Sequence, residues 1–212
     1  MSVGMRLLLA ACGWLCVAAC EAAPDFGAER ASADAQYAAA WVLVGADNQS
    51  LPFAVVDKRD ARIYVFEAGG RLLGASAVLL GASPGDVAVG DMTGRAPASL
   101  TLAERTTPAG RFASEPGRND KGEDIVWIDY AASLAIHRLR PAPAQERRPA
   151  RLASPTPDDN RISAGCVVVP IAFYETVVAP TLGSGRGVVY VLPESRPVHS
   201  LFGALELSLL AD

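Results

Sequence analysis

Cysteine and histidine are scarce in this sequence, and where the few fall governs most of what can be read from it. Four cysteines and two histidines stand among 212 residues. Cys12, Cys16 and Cys20 crowd into the opening stretch, which leaves Cys166 alone in the remainder. A solitary cysteine closes no internal disulfide, so no disulfide framework holds the fold. A thiol redox role is disfavoured as well, because no second thiol is at hand to resolve an oxidised one. Positive charge is also thin, with 19 Lys and Arg against 23 Asp and Glu for a formal charge of −4. Phosphate contact needs a concentrated positive face, so nucleic acid is not an expected partner. After Cys20 no apolar run is long enough to span a bilayer, and no internal repeat is present. Gly183-Ser184-Gly185-Arg186-Gly187 lacks the Lys-Ser/Thr ending of a phosphate loop and precedes a strand pattern, so it is a turn.

What is present is half apolar residues, enough for one buried core, punctuated by 19 glycines and 15 prolines. That punctuation favours many short strands and turns over a helical bundle. The start of the chain is different. Residues 1–20 carry Arg6 and then the apolar run from Leu7 to Cys20, the pattern of an export signal. Its end, Val17-Ala18-Ala19-Cys20, resembles the lipobox of bacterial lipoproteins, which implies cleavage before Cys20, lipidation of that residue and a membrane anchor. Cleavage of an ordinary signal near Ala22 or Ala23 is the alternative, and both export the protein. Glu21 rather than aspartate after the cysteine favours the outer membrane as the anchor site.

Residues 21–51 are expected to be a tether and a short helix, with Ala33, Tyr37, Ala40, Trp41 and Val44 at spacings of three and four. Residues 52–195 are expected to be a mainly β domain, a sandwich or barrel with a few short helices. Phe53–Asp57 and Arg62–Phe66 around Lys58-Arg59-Asp60 predict a hairpin. Arg71–Gly81, Ile125–Tyr130, Leu134–Leu139 and Gly187–Leu192 predict further strands. Ile171–Ala179 predicts a helix, with Pro170 at its start and Pro180 just past its end. Pro141–Pro157 is too broken for regular structure and predicts a long loop near several arginines. Residues 196–212 are a C-terminal tail, expected to hold a short amphipathic helix.

Chemistry is expected at Cys166. Two readings stay open from its type alone, a reactive thiol and a small buried hydrophobe. A catalytic thiol needs an imidazole to take its proton and donors for an oxyanion. Gly165 before it permits a tight turn, and Ser163 adds a hydroxyl. Alternation in Leu134-Ala135-Ile136-His137 sets His137 on the face opposite Leu134 and Ile136. By type alone His137 is as well explained as a structural strand residue.

Three blocks then agree. Ser163-Ala164-Gly165-Cys166 resembles the Ser/Thr-His-Gly-Cys signature of the L,D-transpeptidase (YkuD-like) catalytic domain, with Ala164 where the family has histidine. Arg105-Thr106-Thr107-Pro108-Ala109-Gly110-Arg111-Phe112 resembles its Thr-Pro-x-Gly-x-Phe motif, and Ala135-Ile136-His137 its histidine-bearing strand. The resemblance implies an exported cysteine acyltransferase acting on peptidoglycan tetrapeptide stems through a Cys166 thioester, with release of D-alanine. The thioester then passes to an amine, or to water in a carboxypeptidase side activity. In this picture His137 is the general base, and Ser163 and the Gly165 and Cys166 amides position the site or serve the oxyanion. No metal or other cofactor is implied. Val168 replaces a residue that is often polar in the family, and the arginine-rich loop lengthens the interval from His137 to Ser163. Arg147, Arg148, Arg151 and Arg161 are the candidates for holding stem carboxylates. The other reading, favoured by Ala164 and Val168, is a catalytically silent envelope protein that binds peptidoglycan or a protein partner.

Overall fold

The computed structural model describes residues 23–90 and 95–203. The export signal and Cys20 lie outside the described residues, as does the chain after 203. No helix among the described residues is long and apolar enough to cross a membrane.

The fold is mainly β. Eight strands form one sheet in the order β3-β2-β1-β10-β5-β6-β7-β9. These are β1 (Phe53–Asp57), β2 (Arg62–Phe66), β3 (Leu72–Ala77), β5 (Gly110–Arg118), β6 (Asp124–Asp129), β7 (Leu134–Arg138), β9 (Val167–Val169) and β10 (Gly187–Val191). A two-stranded sheet pairs β4 (Leu80–Gly81) with β8 (Arg161–Ser163). The expected strand from Arg71 to Gly81 is therefore broken in two. The break at Val78-Leu79 has a use: Leu79 exchanges both backbone hydrogen bonds with Val168 at 2.8 and 2.9 Å. That bridge ties the chain following one edge strand, β3, to the other edge strand, β9, and nearly closes the sheet into a barrel.

Both faces of the central strands are covered, which is why β1 and β10 are continuous apolar runs without alternation. Ala54, Val56, Ile63, Val65, Val126, Ile136, Val167 and Val189 point into the interior. That interior is plugged by Tyr174, Val178 and Leu182 of one helical stretch. It consists of α3 (Ile171–Phe173), a π-helical turn (Tyr174–Val178) and α4 (Ala179–Thr181). The expected stop before Pro180 does not occur. Proline removes one helical donor and crowds the carbonyl four residues back, and the widened turn just before it accommodates the misfit.

On the other face Phe53, Val55, Tyr64, Phe66, Val188 and Tyr190 pack under α1 (Ala33–Val44). Ser32 caps this helix, its Oγ accepting from the Ala35 N–H at 3.0 Å. Ala35, Ala38, Ala39 and Val42 are fully buried, and such small residues let the helix lie close on the sheet. The helix expected as part of a lead-in is thus built into the core. In the tail a short helix, α5 (His199–Phe202), is present, with the Phe202 ring 5.6 Å from Trp41, and residues 204–212 of the expected tail lie outside the described residues.

Two further differences come from chain that resembles a loop. β5 was not expected, because Glu115-Pro116-Gly117 interrupts its apolar pattern. Gly110–Ser114 pair with β10 and Glu115–Arg118 with β6, so Pro116 lies beyond the stretch that β10 needs. Residues 141–157 are not wholly irregular either. They hold a 3₁₀ turn (Ala144–Glu146) and α2 (Arg148–Leu152), and a second 3₁₀ turn (Pro157–Asn160) leads into β8.

Candidate active site

Cys166 occupies the corner between β8 and β9. The parallel pairing of β7 with β9 puts Ile136 beside Val167 and His137 beside Val168. Cys166 therefore follows in the row of Ala135, on the same outer face as His137 and one step along it. Ile136, Val167 and Val169 take the inner face. The expectation that His137 avoids that core holds, although the residue is buried all the same at 7% exposure.

Both groups are held by backbone carbonyls. His137 Nδ1 lies 2.8 Å from the Arg138 oxygen, and Cys166 Sγ donates to the Ser133 oxygen at 3.5 Å. Among the described residues neither group hydrogen-bonds the other. Nδ1 next to a carbonyl is the protonated nitrogen, which leaves Nε2 as the basic one. Burial, joined by the charge of Arg140, pushes the imidazole down to about 4. Burial likewise pushes the Cys166 thiol up, opposed in part by the Ala135 amide and Arg140. At neutral pH the resting pair is thus a neutral thiol and a neutral imidazole, and proton transfer must accompany attack by sulfur.

The corner is fixed from below. Ser163, 3% exposed, donates from Oγ to the Cys166 oxygen at 2.7 Å and accepts from the Gly165 N–H at 3.1 Å. That bond corrects one expectation: the Gly165 N–H is committed to Ser163 and not presented to an oxyanion, so Gly165 acts through shape. Its φ is +131°, and a Cβ there would stand 3.0 Å from the Thr106 oxygen. Thr107, fully buried, donates from Oγ1 to the Gly165 oxygen at 2.7 Å and accepts from the Gly81 N–H at 2.8 Å.

Behind Thr107 lies a buried charge cluster that sequence reasoning missed. Lys58 Nζ donates to the Thr107 oxygen and to Asp86 Oδ1, each at 2.9 Å, and to the Gly85 oxygen. Glu194 Oε1 stands 3.4 Å from the same ammonium. Burial alone would raise the Asp86 carboxyl, but hydrogen bonds from Ser195, the Glu194 amide and Lys58 outweigh it and hold it far below the usual carboxylate range. Lys58 belongs to a charged hairpin turn, where a lysine is normally solvated, and nothing in the sequence signals its burial.

The cleft that Cys166 lines is narrow, about 70 Å³, with Val89, Leu100 and Glu104 on one side and Ser133 and Ala164 among its other lining residues. That volume suits a few water molecules and is too small for a peptide. Ala164 lines this cleft. Val168 is fully buried and presents no side chain to it.

The four candidate arginines part company. Arg161 is spent on Glu194 and the Lys58 oxygen, and Arg151 on the Glu146 and Asp159 oxygens. Arg148 pairs through Nε with Glu146. Arg147 is exposed and has no side-chain hydrogen bond or ion pair among the described residues. Arg147 and Arg148 line a separate cleft beyond the end of β7, together with Arg140.

No protein-family model matches the sequence, and a search of curated proteins returns no match. Solved structures are similar to it. The NMR structure of the catalytic domain from E. faecium L,D-transpeptidase is similar over 68% of this chain and 98% of that one, at 16% identity and a TM-score of 0.39. The crystal structure of the L,D-transpeptidase (residues 123–326) from Xylanimonas cellulosilytica is similar over 67% and 60%, at 20% identity and a TM-score of 0.39. The helical cell shape determining protein Pgp2 from Campylobacter jejuni is similar over 69% and 49%, at 16% identity and a TM-score of 0.43. The chain thus spans about half of the Pgp2 structure and three fifths of the Xylanimonas one.

Proposed function

We propose that this protein is an exported cysteine acyltransferase of the L,D-transpeptidase type, acting on peptidoglycan stem peptides. One observation carries the reading: the one cysteine among the described residues lines a cleft at the end of a strand whose parallel neighbour presents His137 on the same face, one step away. The sequence blocks around Cys166, His137 and Thr107 support it independently.

In this reading Cys166 Sγ attacks the amide carbonyl between the third and fourth residues of a tetrapeptide stem. His137 Nε2 takes the thiol proton as the C–S bond forms and returns it to the departing amine, so D-alanine leaves and a thioester remains. An amine of a second stem, or water, then attacks the thioester and frees the thiol. Ser163, Gly165 and Thr107 hold the nucleophile's corner, and Arg147 and Arg148 are the arginines left to meet substrate carboxylates. Export, lipidation at Cys20 and an outer-membrane location belong to the same proposal.

The test is acylation of the whole protein by a carbapenem, followed by intact mass. The expected result is one drug adduct on the native chain and none on Cys166→Ala, with His137→Ala slowing the reaction by about 10²-fold or more. A native chain that stays unmodified would support instead a silent binding protein. The raised thiol, the weakly basic imidazole and the small cleft are the observations that favour that second reading.

A further inference from the structure

Between Leu139 at the end of β7, the Ala144–Glu146 turn, the start of α2 and Ile171 lies a cleft of about 480 Å³. Its lining is apolar, with Leu139, Pro143, Pro149 and the half-exposed Ile171, except for Arg140, Arg147 and Arg148. No carboxylate lines it. Arg140 and Arg148 each use Nε on a neighbouring acid, Glu123 at 2.8 Å and Glu146 at 2.5 Å. Arg147 is the guanidinium without such a partner among the described residues, and its φ of +48° fixes it at the bend where the 3₁₀ turn meets α2. An apolar lining with three guanidinium groups and no acid is complementary to a small acyl group that ends in a carboxylate.

We propose that this cleft is a carboxylate-binding site anchored by Arg147, and that its occupant controls the imidazole beside it. Leu139 stands two residues beyond His137, just past the end of β7, where its N–H donates to the Val169 oxygen at 2.7 Å, and the cleft residues Arg140 and Arg148 both act on the imidazole, so the cleft adjoins the base. The groups acting on His137 are the Arg138 carbonyl on its own strand, Arg140 just past it, Glu123 before β6 and Arg148 on α2, while Val168 of β9 stands beside it. Of these Arg140 and Arg148 oppose protonation, and both line the cleft. A bound carboxylate offsets their field and makes His137 a better proton acceptor when ligand is present. By linkage, protonation of His137 tightens the anion in the same proportion. That the natural occupant is the carboxylate end of a stem peptide rests on the acyl-transfer reading, while the anion site itself does not.

The chain has two histidines, His137 and His199, so ¹⁵N-histidine NMR on the whole protein reads the base directly and carries its own reference. N-acetyl-D-alanine is the probe, and its uncharged methylamide the control. The expected result is a saturable rise of the His137 pKa by about half a unit or more, with His199 unmoved, no response to the methylamide, and roughly tenfold weaker binding in Arg147→Gln. A His137 that ignores the carboxylate overturns the proposal. So does a shift shared equally by His199, or one unchanged in Arg147→Gln. These readouts need no turnover: a chain that binds the carboxylate yet resists carbapenem keeps this site and loses the acyl-transfer reading, and the reverse pattern does the opposite.

Discussion

His137 shows how far one side chain can be placed from sequence and how far it cannot. Alternation along its strand gave the face, because a period of two is a property of extended backbone. Its burial and electrostatic surroundings were not legible, since Arg140, Arg148 and Glu123 reach it through folded loops. The consequence is measurable. Below pH 6.5 an unfolded chain binds a proton at this imidazole that the folded chain refuses until about pH 4. The unfolded state therefore holds more protons over that window, and stability falls as the pH drops through it, by about 3 kcal/mol in all. Urea midpoints at pH 7 and pH 4.5 are expected to draw closer in His137→Gln than in the native chain. Lys58 is the opposite case to His137. A lysine between Asp57 and Arg59 has every local reason to be solvated, and only the return of Asp86, Thr107 and Glu194 from distant parts of the chain encloses it.

Elements were legible where local signals agreed. The β1–β2 hairpin follows from two β-branched and aromatic runs around a charged turn, and its register pairs Phe53 with Phe66 at one end and Asp57 with Arg62 at the other. β5 was hidden because proline and glycine inside it signal a turn, and only its division between two partners makes them tolerable. α1 was visible as a helix but not as a core element, because an alanine face looks neutral until a sheet covers it. Its close approach leaves no room for a larger side chain. Ala39→Leu is expected to lose about 1–3 kcal/mol in chemical denaturation, with the reactivity of the Cys166 thiol unchanged at temperatures where the chain stays folded.

At the scale of the molecule, the buried charges and the closed sheet act together. The hairpin turn, the 85–86 segment, Thr107 and the 194–195 segment all meet at one ammonium. Lys58→Met leaves Asp86 and Glu194 facing each other without their shared cation. The expected loss is about 3–5 kcal/mol of stability, seen as a lower urea midpoint, and larger than that of any exposed ion-pair deletion such as Arg118→Ala. The order of the strands carries a separate message. β10, late in the chain, lies between β1 and β5 and joins the β3-β2-β1 half of the sheet to the β5-β6-β7-β9 half. A polypeptide still emerging from the ribosome accordingly holds two unfinished staves with the keystone missing, and cannot lock before its last fifth has been synthesised. Such a chain stays threadable until β10 has been made, which agrees with the export proposed for it.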